Sequence, residues 1–255
     1  MTAALTLASA SPVSGANDGQ IIGKNQITLT GDRLTPEALW AMGRIGTFAV
    51  SPDAQKIVYT VSYYSVQQNK SHTVLYLMDA DGANPTLLTT TADNESEPAF
   101  TPDGQRITFL SGKSGSSQIW EMALDGTSRR QVSFCHKDVE GYKFSPDGKK
   151  AIIVHSVDTY TSIEKKYDDL PLSSGMVITD LNYKHWDHYV TTIPHIFVAD
   201  VQDGRTGDGI DLLNGEPFEC PMLPFGGSEQ FNWSPDSRHI AVSYTHLTLP
   251  TILRV

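Results

Sequence analysis

The sequence is poor in the features that mark several common protein classes. Its 255 residues include only two cysteines, Cys135 and Cys220, too few for a disulfide framework. An exported chain could pair them, and two buried thiols fit the same spacing equally well. No run of eighteen apolar residues occurs, which excludes a membrane-spanning helix. No basic cluster occurs either. Against 29 Asp and Glu stand 19 Lys and Arg, a net charge of -10 that argues against nucleic acid as a partner.

Motifs for several chemistries are also missing. Gly112-Lys113-Ser114 resembles the end of a phosphate-binding loop, but Ile107 stands where that loop needs its first glycine. His185, His188 and His195 lack the spacing of an H-E-x-x-H helix, so no metal is expected there. Asp79, Asp81, Asp125 and Asp203 lack calcium-loop spacing and read as turn residues. No Gly-x-Ser-x-Gly nucleophile elbow is present. No catalytic residue and no cofactor is assigned to the chain.

What the sequence does contain is a repeat. Ser51-Pro52-Asp53-Ala54, Thr101-Pro102-Asp103-Gly104, Ser145-Pro146-Asp147-Gly148 and Ser234-Pro235-Asp236-Ser237 each follow an apolar residue. Each also precedes a short β-branched or aromatic run, such as Ile57-Val58-Tyr59 or Ile152-Ile153-Val154. Proline presets φ for a turn, aspartate suits the next position, and glycine accepts positive φ at the exit. From Asp53 through Asp103 and Asp147 to Asp236 the steps are 50, 44 and 89 residues. Propeller blades recur at roughly 40–45 residues, so the last step equals about two periods or one period with an insertion.

A second element follows each of the first three turns. Val74–Asp79 runs into Asp81-Gly82, Ile119–Leu124 into Asp125-Gly126, and His195–Asp200 into Asp203-Gly204. Asp-Gly is a strong hairpin signal. Two hairpins per period make a four-stranded blade. The expected fold is all-β: an incomplete β-propeller of three blades plus the start of a fourth, with a long insertion in the third. A solenoid or sandwich with similar turns is the competing arrangement.

The ends differ from this body. Ala3–Ala10 is small and apolar and closes on an A-x-A pattern, as a secretory leader does. Residues 1–30 are therefore expected to be a signal-peptide remnant and linker, 31–244 a partial propeller, and the location periplasmic or secreted. Thr35-Pro36-Glu37 opens a short helix through Trp40 to Gly43, with cap, proline and carboxylate in the favoured places. Residues 245–255 match no blade element and read as a tail foreign to the repeat, with a genuine terminal strand as the alternative.

The insertion lies between roughly Ser156 and Pro194, and long insertions with a character of their own are commonly functional. It contains Glu164-Lys165-Lys166-Tyr167-Asp168 and then Tyr183-Lys184-His185-Trp186-Asp187-His188-Tyr189. Aromatics interleaved with charges suit a recognition surface. The competing reading has Trp186 packing the loop onto the propeller and Asp187 as a cap or ion pair.

Met42-Gly43-Arg44, Leu75–Gly82, Tyr183–Asp187 and Gly215-Glu216-Pro217-Phe218 together resemble the N-terminal half of the dipeptidyl-peptidase V branch of the prolyl oligopeptidase (S9) serine peptidases. The resemblance spans roughly residues 34 to 244. It implies a propeller that limits access to short peptides, and a C-terminal hydrolase domain carrying Ser, Asp and His. The chain alone is then expected to be inactive. The substrates implied are short peptides with a free N-terminus. A desolvated carboxylate with an aromatic neighbour suits their ammonium. Asp187 with Trp186 and His185 is the first choice for that contact, Glu164 or Asp168 the second. The alternative is a non-enzymatic, TolB-like periplasmic propeller that binds a protein partner.

Overall fold

In a computed structural model, the structure describes residues 21–27, 31–159, 161–162, 166–177, 184–185, 188–223, 226–243 and 252–254. The expected leader at residues 3–10 lies outside them. The chain divides into two compact units. One holds Met1–Lys113 with Glu121–Arg129, the other Ser114–Trp120 with Arg130–Val255.

The first unit opens with residues 21–27, tied down by Asn25, which donates to the Tyr64 carbonyl at 2.9 Å. Helix α1 (Pro36–Ala41) begins where the sequence predicts, its cap Thr35 accepting from the Ala38 N–H at 3.2 Å. It stops short of Gly43. Its C-cap Met42 is already extended, and a Cβ at Gly43 would lie 2.7 Å from the Tyr63 ring, so only glycine fits there without a shift. The first sheet then runs in the order β1 (Arg44–Val50), β2 (Lys56–Ser65), β3 (Lys70–Asp79), β4 (Thr86–Leu87). Its core centres on Val61, Tyr63 and Val74, with Tyr59 stacked on Tyr76 at 5.6 Å.

The second sheet repeats this order with β5 (Glu95–Phe100), β6 (Arg106–Ser111), β7 (Gln118–Ala123) and β8 (Arg130–Gln131). Its first strand is irregular in the same place as β1. Register shifts fall between Ile45 and Phe48 and between Ser96 and Ala99. In both, a threonine on the next strand donates to a carbonyl beside the shift: Thr60 to Thr47 at 3.2 Å, Thr108 to Ala99 at 3.3 Å. Gly46 is needed because a Cβ there would lie 2.6 Å from the Thr60 hydroxyl.

In the second unit, β9 (Gly141–Phe144) and β10 (Lys150–Asp158) form the first half of the third blade. Four two-residue strands follow: β11 (Thr161–Ser162), β12 (Met176–Val177), β13 (Lys184–His185) and β14 (His188–Tyr189). β15 (Thr192–Asp200) and β16 (Ile210–Asp211) then complete the sheet, in the order β16-β15-β10-β9. A further sheet holds β17 (Phe231–Trp233), β18 (His239–Val242) and β19 (Ile252–Arg254). The backbone of residues 252–254 pairs along β18, with Ile240 opposite Leu253. The core of this unit joins Ile152, Val154, Ile196 and Val198 to Phe231, Trp233, Ile240 and Val242. Lys143 fastens the two sheets: its ammonium donates to the Phe231 carbonyl at 2.9 Å, and its own carbonyl accepts from the Trp233 indole at 3.0 Å.

All four Ser/Thr-Pro-Asp quartets fold alike. The hydroxyl donates to the aspartate two residues on, at 2.6 Å in Ser51 and Thr101, 2.7 Å in Ser145 and 2.5 Å in Ser234. It also accepts the N–H five residues on, from Lys56, Arg106, Lys150 and His239 at 2.9–3.0 Å. The fourth position has positive φ in every copy: Ala54, Gly104, Gly148 and Ser237. The hydroxyl, then a backbone N–H, holds Asp53, Asp103, Asp147 and Asp236 below the usual carboxylate range.

Two predictions follow from these contacts. A carboxylate with a depressed folded pKa adds stability above its unfolded pKa of about 3.9 and loses it as pH falls through the folded value. Urea midpoints should therefore drop on acidification below about pH 4, and Asp147→Asn should flatten that drop; an unaltered acid profile contradicts it. Glu95, only 1% exposed, accepts from Thr89 at 2.6 Å and pairs with Arg129. Glu95→Ala should cost about 3 kcal/mol in urea unfolding, because it leaves the half-buried Arg129 guanidinium without its carboxylate; a loss under about 1 kcal/mol contradicts the pairing.

Candidate functional site

The long insertion caps a single continuous hairpin. β10 and β15 pair without interruption from Lys150 opposite Asp200 to Asp158 opposite Thr192, and the Thr159 N–H still donates to Thr191 at 3.0 Å. The insertion is therefore residues 160–190, tighter than the limits at Ser156 and Pro194 read from sequence. Pro194 reads as a strand breaker, but it sits inside β15 opposite Ser156. Beyond Thr159, β11 pairs with β12, and β13 pairs with β14 so that His185 stands opposite His188.

The described residues locate the predicted recognition groups unevenly. Asp168 is exposed, one residue beyond Tyr167, whose ring lies 5.8 Å from the Lys166 ammonium. His185 lies on β13 at the head of the small hairpin. Glu164, Trp186 and Asp187 lie outside the described residues. His195 lies outside the insertion. It is buried in β15, and its Nδ1 lies 3.0 Å from the Asp211 carboxylate.

Below the insertion is a second group of polar side chains that sequence reading did not single out. The backbone of Ser133 forms a parallel bridge with Thr206, with Phe134 N–H donating to Thr206 at 3.0 Å and Thr206 N–H to Val132 at 2.9 Å. This bridge brings the segment after β8 beside the connection between β15 and β16. Cys135, His155 and Asp208 meet there, with their ligand atoms all within 4.8 Å of one another. Asp208 accepts from the His136 N–H at 2.8 Å, and its second oxygen contacts the His136 ring. Burial works against the Asp208 charge, but the His136 contacts outweigh it and hold the carboxyl below its ordinary value. Asp208 raises His136 in turn. Burial, then the Asp208 charge, pushes the Cys135 thiol up to about 11. Cys135 and Cys220 are both free thiols, and burial likewise pushes Cys220 up to about 11. A groove of about 660 Å³ runs past the Asp203-Gly204 turn, lined by Arg130, Asp203, Arg205 and Thr206. Its mixed charges favour no single ligand sign.

The family described as the TolB beta propeller domain matches residues 38–187. The chain belongs to that family. It is 41% identical over 214 residues to dipeptidyl-peptidase 5 of Porphyromonas gingivalis, covering 84% of this chain and 31% of the relative. It is 37% identical over 241 residues to dipeptidyl-peptidase 5 of Porphyromonas endodontalis, covering 94% of this chain and 34% of the relative. The chain thus spans about a third of the length of the curated relatives it matches. Acylaminoacyl peptidase of Pyrococcus horikoshii has a similar fold, with a TM-score of 0.55 at 14% identity over 84% of this chain and 30% of that structure. The family and these relatives agree with the resemblance drawn from the insertion and repeat residues: a propeller portion like that of the dipeptidyl peptidases.

Because the hairpin register survives to Thr159 and Thr191, the propeller should not need the insertion. Replacing residues 160–190 by Asn-Gly, which suits a two-residue hairpin, should keep cooperative unfolding with a midpoint within a few degrees. Loss of the cooperative transition contradicts this.

Proposed function

We propose that this chain is the propeller portion of an exported, periplasmic or secreted, serine dipeptidyl peptidase of the prolyl oligopeptidase family. In that protein it gates and recognises short peptides with a free N-terminus. The observation that carries the reading is the 41% identity to a dipeptidyl-peptidase 5 across most of the chain. The Ala3–Ala10 segment supports export.

Cleavage itself would belong to a C-terminal hydrolase domain with a serine, its histidine base and an aspartate. The 255 residues contain no Gly-x-Ser-x-Gly elbow, so by themselves they supply no nucleophile of that kind. Their part is selection. A peptide ammonium entering a water-poor site needs a carboxylate to replace its hydration, and an aromatic face adds a cation–π contribution. Asp187 beside Trp186 and His185 is assigned that role, with Glu164 and Asp168 as the second pair.

The test is kinetic. The full-length protein should hydrolyse dipeptidyl p-nitroanilides with a free amine and leave their N-acetylated forms intact. Asp187→Asn should raise KM roughly tenfold with little change in kcat, the loss of one charged contact worth about 1.5 kcal/mol. Unchanged KM removes Asp187 from the role. Absence of hydrolysis altogether favours the second reading, a non-enzymatic TolB-like propeller that binds a protein partner, which the family match equally suits.

A further inference from the structure

The side chains gathered below the insertion have an arrangement that ordinary packing does not account for. His155 is 2% exposed, in the middle of β10. Its Nδ1 lies 2.8 Å from the Asp138 carbonyl, a contact that requires the proton on Nδ1. Nε2 is then a bare lone pair. It is buried and has no hydrogen-bond partner. The Cys135 sulfur, a ring nitrogen of His155 and an Asp208 oxygen lie within 4.8 Å of one another.

The three donors come from three different segments, and each is braced from behind. Cys135 is held at its backbone by Gln118, which accepts its N–H at 3.0 Å and donates to its carbonyl at 3.2 Å. Asp208 is held by the His136 backbone and ring. Phe197 packs edge-on against the His155 ring at 5.0 Å. A histidine whose far nitrogen donates to a carbonyl, and a carboxylate held by a second group, are the outer contacts that metal ligands ordinarily have.

We infer that Cys135 Sγ, His155 Nε2 and the Asp208 carboxylate form a binding site for a borderline divalent transition-metal ion, with Zn²⁺ the best match. Sulfur, imidazole and carboxylate together suit zinc and not a hard cation such as Ca²⁺ or Mg²⁺. Tetrahedral zinc with bonds of about 2.0–2.3 Å sets its ligand atoms roughly 3.5 Å apart, so donors within 4.8 Å need close by no more than about 1.3 Å on binding. The charges also balance. Binding breaks the Cys135 S–H bond and forms a sulfur–metal bond, with the proton released to solvent. Thiolate and carboxylate then neutralise the two positive charges. Three protein ligands leave a fourth position for water. The ion would staple the segment after β8 to the connection between β15 and β16, adding to the backbone bridge and the His136–Asp208 contacts that already join them.

The test uses the whole chain with Zn²⁺ and Co²⁺ alone as probes. One equivalent of Co²⁺ should give a thiolate charge-transfer band in the near ultraviolet and tetrahedral visible bands, both lost on adding Zn²⁺. Zn²⁺ should also raise the melting temperature, reversibly with a chelator. Cys135→Ser should abolish the charge-transfer band and weaken Zn²⁺ binding by about 100-fold or more, while Cys220→Ser should change neither. His155→Gln should weaken binding similarly. Should that variant fail to fold, Asp208→Asn, on the partly exposed side of the site, provides the same comparison. Co²⁺ bound without a charge-transfer band, Zn²⁺ binding unaffected by Cys135→Ser, or no binding at micromolar metal each overturns the assignment.

Discussion

In each sheet that carries a quartet, a hydroxyl closes the six-residue turn between the first two strands, and their pairing depends on it. The Ser or Thr oxygen donates to the aspartate at its second neighbour and accepts the N–H at its fifth. The proline between restricts the chain, and the positive φ at the fourth position turns it back. With both partners fixed, the register of the first hairpin is set, and alternation then decides which side chains face the core. Because the closure is local, it needs no neighbouring blade. That explains why the same quartet serves blades whose other contacts differ.

The repeat was legible in the sequence because its hydrogen bonds span five residues or fewer. The order of strands followed from it, as did the four-stranded blades and the third-blade insertion. What the sequence concealed arises from longer contacts. The irregularities at Ile45–Phe48 and Ser96–Ala99 depend on Thr60 and Thr108 approaching from the next strand. The need for glycine at position 43 comes from Tyr63, twenty residues further on. Cys135 and Asp208 stand far apart in the chain, and no spacing rule connects them; the Ser133–Thr206 bridge does.

A related economy appears inside the blades. In the first two, the hydroxyls of Thr89 and Ser133 accept the N–H of Leu75 and Ile119 at 2.8 and 2.7 Å. Each hydroxyl then donates to a buried acceptor, Glu95 or Gln118. The third blade has Leu213 in the corresponding place, packed into the apolar core instead. This blade also carries the insertion. Its hairpin is held by uninterrupted pairing and by the core shared with β17 and β18, which lets a long segment project from its tip without weakening it. A rigid stem of this kind suits the selecting role proposed for the inserted head.

The central claim is that this head meets the N-terminus of a short peptide. The most direct measurement is a crystal structure of the full-length protein with a free-amine dipeptide product bound. The account predicts the ammonium within hydrogen-bonding distance of a carboxylate from residues 160–190, with an aromatic side chain of the same segment against it. A dipeptide held entirely by other residues, with the insertion away from it, would contradict the account.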